Sequence, residues 1–209
     1  GLTEAAPIFT STAAGGAPRR GSIGPCVPGV EVRLVDAGGV DVPAGDPGEI
    51  WVRGPNVFAG YWGDREATER VLVDGWLHTG DVAVVDDDGY LSLVDRIKDL
   101  VIVSGFNVYP AEVEAVISRH PAVRDVAVFG IPDPDLGERV HAVVQPVDWD
   151  AAGPALADEL LAHCRTHLSG QKRPRAIDFE RELPREDTGK LFKRHLRDRY
   201  WGEGPSRIV

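Results

Sequence analysis

The stretch DRIKDLVIVSGFNVYP, residues 95–110, marks the point where the pattern of the chain changes. Its charged start leads into a β-branched apolar run at 100–103, which predicts a short buried strand. The run breaks at 104–107, where a Ser-Gly pair predicts a turn. Pro110 then predicts the first turn of a helix, where a missing N–H costs nothing. The chain before this stretch is predicted to be mostly β, and the chain after it mixes strands and helices.

Short strands and turns are predicted on the N-terminal side of this stretch. The segments VEVRLVD (30–36) and GEIWVRG (48–54) alternate apolar and polar residues, as half-buried strands do. DDDGY (86–90) carries an Asp-Gly hairpin signal before another apolar stretch. One helix is predicted around 64–73. In GWLHTGD, Asp81 follows a Thr-Gly pair that predicts a turn.

A compact unit of mixed α/β order is predicted on the C-terminal side. Its predicted helices cover 110–120 and 154–170, and its predicted strands cover 123–131, 139–147 and 175–180. The second helix is amphipathic, and Gly170 is predicted to end it. A short basic helix is predicted to follow Gly189, with Lys190 at its start.

The composition indicates a globular protein and excludes several classes. Of the 209 residues, 43% are hydrophobic and 27% are charged, and the net charge is −10. General binders of nucleic acid or of anionic membrane surfaces need cationic faces, so these classes are excluded. No apolar run approaches the roughly 20 residues that span a bilayer, so no transmembrane segment is expected.

The cysteine and methionine usage adds two expectations. Cys26 and Cys164 lie far apart and match no metal spacing, and no signal peptide is visible, so we expect a reduced, cytoplasmic protein. The chain has no methionine and starts at Gly1. We interpret this as a sign that the chain is a piece of a longer one.

Several segments, in this order, resemble one family. The segments are GLTE (1–4), GEIWVRGPNVFAGYW (48–62), GWLHTGD (75–81), GYLSLVDRIKDLVIVSGFNVYPAEVE (89–114) and LPREDTGKLFKRHLR (183–197). They resemble the C-terminal portion of the adenylate-forming (AMP-binding) acyl-CoA synthetase/ligase family. The resemblance covers nearly the whole chain, to about Trp201.

The resemblance implies an α/β (α+β) fold in two parts. Residues 1–94 would be a β-rich remnant of the large N-terminal AMP-binding domain, and residues 97–201 a small, mobile, mixed α/β C-terminal lid domain. A hinge would lie at 95–96, with Asp95 as the pivot, and 202–209 would be a tail.

The resemblance also implies an ATP-dependent acid–CoA ligase. Such an enzyme adenylates a carboxylic acid, here expected to be a fatty or other apolar acid, and transfers the acyl group to coenzyme A. ATP, coenzyme A and the small-molecule acid would be substrates, and Mg²⁺ a cofactor. The acyl pocket and most of the ATP site would belong to a missing N-terminal portion of the same enzyme. We therefore expect the 209 residues to be inactive alone.

Residue roles for the adenylation step follow from the same resemblance. Lys190 would be the catalytic lysine that bridges the acyl carboxylate and the α-phosphate. Thr3 would bind the α-phosphate and Glu4 would hold Mg²⁺. Asp81 would accept the ribose hydroxyls, and Arg96 would contact the ribose or a phosphate.

A second set of residues is implied for the thioester step. Ser104 and Gly105 would bind coenzyme A, because a backbone without a Cβ lets the narrow pantetheine arm pass close by. Lys98 and Asn107 would lie on the adenylate or thiol side of the site. The basic segment QKRPR (171–175) would meet the nucleotide end of coenzyme A.

Two alternative functions stay open at this point. The acceptor could be the thiol of a carrier protein, although peptide-synthetase domains tend to have K-I-R-G-x-R-I-E-P where this chain has VIVSGFNVYP, which favours free coenzyme A. The chain could instead be a truncated, non-catalytic segment that binds nucleotide or nothing.

Overall fold

The computed structural model describes residues 1–14 and 17–201. The predicted tail at 202–209 therefore lies outside the described residues. The chain forms two compact units, which divide between Ile97 and Lys98. No helix in the described part of the chain combines the length and the apolar character that a membrane span requires.

The first unit is built on an antiparallel sheet. Its elements are β1 (Glu31–Val35), β2 (Gly48–Arg53), α1 (Arg65–Val71), β3 (Leu72–Val73), β4 (Trp76–Val85) and β5 (Leu91–Arg96). Strand β4 lies at the centre and pairs with β2, β3 and β5. The predicted strands at 30–36 and 48–54, the hairpin turn at 86–90 and the helix near 64–73 are confirmed.

Alternating residues of this sheet build the core of the first unit. Leu34, Ile50, Val52, Leu77 and Ala83 are buried together, and the N-terminal residues Ala5 and Phe9 join them. The helix α1 begins after Asp64, whose side chain accepts the N–H of Ala67 and so satisfies one free donor of the first turn.

The structure corrects the predicted position of Asp81. This residue does not follow a turn but lies inside β4, because the chain continues as a strand through Gly80. Gly80 has a φ of +69°, and the β2–β4 ladder shifts register between Glu49 and Trp51. A bulge of this kind redirects side chains without ending the strand.

The second unit has a mixed sheet with helices packed on it. Its elements are β6 (Val101–Val103), β7 (Phe106–Val108), α2 (Pro110–Ile117), β8 (Val123–Asp133), β9 (Gly137–Pro146), α3 (Pro154–His167), β10 (Ala176–Phe179) and α4 (Lys193–Trp201). The long hairpin β8–β9 is antiparallel, and β10 pairs with β9 in parallel. The predicted mixed α/β fold is confirmed.

Strand β8 sends alternate residues into two cores. Val126 and Val128 pack in the core that includes residues of α2 and α3, such as Ile117 and Leu160. Ala127, Phe129 and Ile131 pack in a second core with Leu183 and with Leu196 of α4. This period of two is what a strand between two packed layers requires.

Several predicted boundaries were wrong. Helix α2 ends at Ile117, and α3 ends at His167, where Leu168 turns extended, so Gly170 does not end it. The residues at 106–107 do not belong to the break after 100–103 but pair with β6 as part of β7. Lys190 is not at a helix start, because α4 begins only at Lys193.

Candidate functional site

A short helical turn at the start of the chain carries Thr3 and Glu4. The next residue, Ala5, is fully buried and anchors the turn in the core of the first unit. The carbonyl of Glu4 accepts a hydrogen bond from the N–H of Phe58 at 2.8 Å, and Asn56 Nδ2 donates to the carbonyl of Ala5 at 2.9 Å. Thr3 is exposed and Glu4 is half-buried, so both can reach a bound ligand.

Tyr61 orients the carboxylate of Glu4. Its hydroxyl donates a hydrogen bond to Glu4 Oε1 at 2.9 Å, and its ring packs edge-on against Phe58. Burial and the neighbouring carboxylate raise the pKa of Tyr61, so the hydroxyl keeps its proton as a donor. Sequence reasoning missed this role, although Tyr61 lies in the quoted segment GEIWVRGPNVFAGYW.

Glu4 is the residue of this turn whose carboxylate could take part in holding a metal ion. In residues 1–14 and 17–201, no group of three or more His, Cys, Asp or Glu side chains could hold a metal ion. Mg²⁺ usually needs only one or two protein carboxylates, because substrate phosphates and water supply its other ligands. The oriented carboxylate of Glu4 could be one such carboxylate.

Asp81 and Arg96 lie opposite each other on neighbouring strands, β4 and β5. Arg96 Nε donates to Asp81 Oδ1 at 2.9 Å. The Asp81 side chain is 14% exposed and the Arg96 side chain is 49% exposed. A carboxylate has about four acceptor positions, and this contact uses one of them. The pair therefore presents an acceptor for hydroxyl groups beside a cation.

The bulge next to Asp81 is held by side-chain hydrogen bonds. Thr79 Oγ1 donates to the carbonyl of Ile50 at 2.8 Å and accepts the N–H of Asp81 at 3.1 Å. Glu49 Oε1 accepts the N–H of Gly80 at 2.9 Å. The carboxylate is thus positioned by the strand itself rather than by a mobile loop.

The predicted hinge residue Asp95 belongs to the end of β5. It pairs with Val82 in the β4–β5 ladder, and its Oδ1 accepts the N–H of Arg96 at 2.8 Å. Lys98 is exposed in the short helical turn that follows. A pivot at Asp95 would therefore act at the last ladder residues of this strand.

A two-residue hairpin carries the predicted coenzyme A residues. Val103 of β6 pairs with Phe106 of β7, so Ser104 and Gly105 form the connection. Both have positive φ, 49° and 82°, which is the backbone of a type I′ turn. The turn is exposed, as is Asn107, and no described atom lies within 4 Å of the position of a Cβ on Gly105.

A basic cleft of about 610 Å³ adjoins this hairpin. Its lining includes Ser104, Phe106, Arg165, Arg173 and Arg175. Arg173 donates to two backbone carbonyls near the end of α3, at 2.8 and 3.2 Å, and so holds the cleft wall. The other two arginines are exposed. The cleft combines an aromatic ring with cations, which suits a ligand that has an aromatic base and phosphates.

Lys190 lies on a small hairpin that precedes α4. Arg185 and Leu191 form a β-bridge, and the carbonyl of Lys190 accepts the N–H of Glu186 at 2.8 Å. Gly189, with a φ of +84°, makes the turn. Arg185 also donates to the carbonyl of Gly189 at 2.6 Å. The hairpin is closed by its own hydrogen bonds, and the Lys190 side chain is exposed at its edge.

The structure brings only some of the predicted site residues together. Asp81 and Arg96 form an ion pair, and Ser104, Gly105 and Asn107 share one hairpin. The short turn that carries Thr3 and Glu4 packs, through Ala5, on the core of the first unit, which includes residues of β4. The lysine hairpin stands on a separate part of the second unit.

Two family models match separate parts of the chain. The model of the AMP-binding enzyme family matches residues 1–62, and the model of the AMP-binding enzyme C-terminal domain matches residues 112–190. The matched residues lie on both sides of the division between the units.

Curated relatives and solved structures agree with these matches. A long-chain-fatty-acid–CoA ligase of Yersinia pestis is 49% identical over 95% of this chain, which spans 34% of that protein. A feruloyl-CoA synthase of Amycolatopsis is 48% identical over 96% of this chain, which spans 40% of that protein. The crystal structure of ATP-bound MatB from Rhodopseudomonas palustris is 40% identical, with a TM-score of 0.87 over 96% of this chain and 39% of that one.

Proposed function

The chain belongs to the adenylate-forming acyl-CoA synthetase family, and from that premise we propose that it is the C-terminal part of a longer enzyme. That enzyme is proposed to be an AMP-forming acid–CoA ligase. The proposed enzyme activates a carboxylic acid with ATP and passes the acyl group to coenzyme A. The acid is proposed to be a fatty or other apolar acid, in keeping with the names of the ligases that this chain resembles.

The observation that carries the proposal is the pair formed by Asp81 and Arg96. A ribose presents two neighbouring hydroxyls, and a carboxylate with open acceptor positions can take a hydrogen bond from each. The adjacent guanidinium can contact a phosphate or a ribose oxygen. This arrangement supports AMP and ATP as ligands of the first unit.

The proposed first step forms an acyl adenylate. An oxygen of the acid attacks the α-phosphorus of ATP, and the bond to the bridging oxygen breaks, so pyrophosphate leaves. Negative charge increases on the phosphate oxygens, and positioned cations and donors stabilise it. Lys190 supplies an ammonium between the acyl carboxylate and the α-phosphate, and Thr3 supplies a hydroxyl donor. Magnesium, which Glu4 would hold, offsets phosphate charge when it is bound.

The proposed second step forms the thioester. The thiol of coenzyme A gives its proton to solvent, its sulfur attacks the acyl carbon, and the bond to the adenylate oxygen breaks to release AMP. The Ser104–Gly105 turn leaves an open approach for a narrow arm, since no described atom of the chain fills the space beside Gly105. Lys98 and Asn107 are proposed to line the adenylate or thiol side.

The basic cleft supports coenzyme A as the acceptor. Coenzyme A carries an adenine ring and phosphates, whereas a pantetheine arm on a carrier protein ends in a serine-linked phosphate without the nucleotide. A cleft with Phe106, Arg165 and Arg175 next to the turn suits the nucleotide. Comparing purified coenzyme A with a phosphopantetheinylated carrier protein in a thioester assay separates these two acceptors.

The chain spans about a third of the curated ligases that it matches. We propose that this third does not adenylate an acid alone and that it acts with the remaining part of an enzyme of the same kind. A domain rotation about Asp95 between the two steps is also part of the proposal.

The test is ATP–pyrophosphate exchange on the full-length polypeptide that contains these residues, with a panel of carboxylic acids. We expect exchange with at least one apolar acid, and a loss of 100-fold or more for Lys190→Ala, because one well-placed charge contributes about 3 kcal/mol to a transition state of this kind. The thioester step, started from synthetic acyl adenylate, should change little. Exchange that survives the substitution would refute the role of Lys190.

A further inference from the structure

Helix α4, which follows the hairpin that carries Lys190, starts with an ion pair to another helix. Lys193 is the first residue of α4, three residues after Lys190. Its Nζ lies 2.7 Å from Oε1 of Glu114, which belongs to α2. The same oxygen accepts the N–H of Val128 on β8 at 2.7 Å. One carboxylate oxygen therefore joins α4, α2 and β8.

This ion pair is much less exposed than the ion pair between Arg199 of α4 and Glu180, the residue that follows β10. The Lys193 and Glu114 side chains are 20% and 19% exposed, whereas Arg199 and Glu180, at the other end of α4, are 49% and 38% exposed. Burial of charge is costly, and a buried pair often gives no net stability compared with apolar residues. The position of the pair therefore calls for a reason other than stability.

The helix does not need this pair for its attachment. Leu196 is 1% exposed and packs with Leu183, Phe129 and Ile131, so apolar burial already holds α4 on the sheet. A lysine in the first turn of a helix is also unfavourable, because the helix dipole places positive charge there. Glu114 offsets that charge and fixes the direction of the first turn.

The other end of the hairpin, at Arg185, is also attached to β8. Arg185 donates to a carboxylate oxygen of Asp125 on β8 and to the carbonyl of Gly189 beside Lys190. With Glu114 holding Lys193, the hairpin has a fixed point on each side of Lys190. A lysine that must bridge two anionic groups gains from such positioning, since small misplacements reduce rates strongly.

We propose that the Glu114–Lys193 pair is a positioning device for Lys190 in adenylation, with both members acting through the hairpin and neither touching substrate. This inference rests on the proposed function, in which Lys190 serves the first step only. It assigns a function to two residues, on α2 and α4, that the reaction itself does not require.

The test compares four variants of the full-length polypeptide in both half-reactions. The variants are Glu114→Gln, Lys193→Met, the double substitution of both, and Lys193→Arg. We expect ATP–pyrophosphate exchange to fall at least tenfold in the first three, with the thioester step from synthetic acyl adenylate within twofold of wild type. Lys193→Arg keeps a cation next to Glu114 and should keep most of the exchange.

The double variant separates positioning from stability. Each single substitution leaves one largely covered charge without its partner and should lower the urea midpoint of unfolding. The double variant is neutral at both positions, so its midpoint should recover while exchange stays low. The double variant also tests the positioning role if a single variant fails to fold. Arg199→Met, which breaks the exposed pair on the same helix, is the control and should leave exchange unchanged.

The possible results are distinct from those that test the proposed function. If Lys190→Ala abolishes exchange but the stable double variant retains it, the positioning role is refuted and the proposed function stands. A parallel fall of both half-reactions would also refute positioning, since it indicates a general structural defect. If the wild-type polypeptide shows no exchange with any acid, the proposed function fails and this inference fails with it.

Discussion

At the scale of single residues, Asp81 and Arg96 are defined by the ladder that joins them. They are separated by fifteen positions, and the antiparallel pairing of β4 with β5 sets them directly opposite each other. Asp81 is mostly covered, so its carboxylate has little freedom to turn away, while Arg96 extends towards solvent. A covered acceptor next to an exposed cation is a suitable recognition pair for a sugar phosphate.

We predict that Asp81→Asn weakens nucleotide binding. The amide keeps the shape but loses the charge and half of the acceptor capacity, and hydrogen bonds to charged groups contribute about 1.5–3 kcal/mol each. The KM for ATP in the exchange reaction should rise tenfold or more. Asp41→Asn is the control, because Asp41 also binds an arginine, Arg33, and lies outside the proposed site. Equal effects of the two substitutions would contradict the assignment.

We predict that Tyr61→Phe raises the magnesium requirement. The substitution removes the hydroxyl that donates to Glu4 at 2.9 Å but keeps the ring against Phe58. The carboxylate should then be less well oriented, and the Mg²⁺ concentration for half-maximal exchange should rise severalfold, with recovery at high Mg²⁺. Direct binding of Mn²⁺ with ATP, followed by electron paramagnetic resonance, should weaken in parallel. An unchanged Mn²⁺ affinity would remove Tyr61 from this role.

At the scale of elements, two hairpins present the residues proposed for chemistry. The β6–β7 hairpin exposes Ser104 and Gly105 through a type I′ turn, and the smaller hairpin before α4 exposes Lys190. Each hairpin is closed by backbone hydrogen bonds. Its exposed residues therefore have a defined direction without needing contacts of their own.

We predict that Gly105→Ala affects the thioester step more than its structural cost explains. A φ of +82° strains any residue with a Cβ, by about 1–2 kcal/mol, but the space beside it is open in this chain. Gly89 has the same φ and the same open surroundings, in a turn outside the proposed site. The two alanine variants should lose similar stability.

The two glycine variants should differ in activity. Only Gly105→Ala should slow thioester formation from synthetic acyl adenylate, by about tenfold, with ATP–pyrophosphate exchange preserved in both. Urea unfolding of each variant checks that the structural cost is matched. If Gly89→Ala slows the thioester step as much, the effect comes from strain and not from a Cβ in the path of the pantetheine arm.

Local patterns in the sequence predicted most elements but not their exact ends. Alternation found β1 and β2, and a helical pattern found α2 and α3, because both patterns depend on burial of one face. The bulge at Gly80 was missed, since it depends on hydrogen bonds to Glu49 and the carbonyl of Ile50 on another strand. The hairpin at Lys190 was missed because a run of basic residues also suits a helix.

The residues of the candidate site were named from the sequence, but their contacts with each other were not predicted. Asp81 and Arg96 were named from separate motifs, and their pairing depends on strand register, which those motifs do not contain. Glu114 and Lys193 lie inside quoted segments as well, yet nothing local indicates that they meet. Contacts between elements far apart in sequence follow from the folded topology, and local periodicity carries little information about them.

At the scale of the whole molecule, each unit has its own core. The first unit buries residues of its antiparallel sheet, and the second buries residues on both faces of its mixed sheet. Asp81 and Arg96, proposed to bind the ribose, belong to the first unit. Lys190 and the proposed coenzyme A residues Ser104 and Gly105 belong to the second. No acyl pocket is proposed among the residues that the structure describes, so we expect the choice of acid to depend on other parts of an enzyme.

We predict that this chain works in place of the matching part of two different ligases, which is 34% of one and 40% of the other. The hosts are the Yersinia pestis long-chain-fatty-acid–CoA ligase and the Amycolatopsis feruloyl-CoA synthase, which are 49% and 48% identical to it over the aligned residues. Each chimera should form thioesters with the acid preference of its host, because the roles proposed for this chain are those of Lys190 and the nucleotide contacts, and the acyl pocket is proposed to lie in the host. Product analysis with a long-chain fatty acid and ferulate in competition measures that preference.

The same chimeras test whether this chain takes part in catalysis or only completes the fold of the enzyme. Lys190→Ala should lower ATP–pyrophosphate exchange at least 100-fold in both hosts, since the ammonium would be lost from the same step in each. The unmodified hosts are the controls for folding and turnover. If both chimeras shifted to one common acid, the determinants of acid choice would lie in this chain. If both kept their activity without Lys190, the lysine would have no part in adenylation.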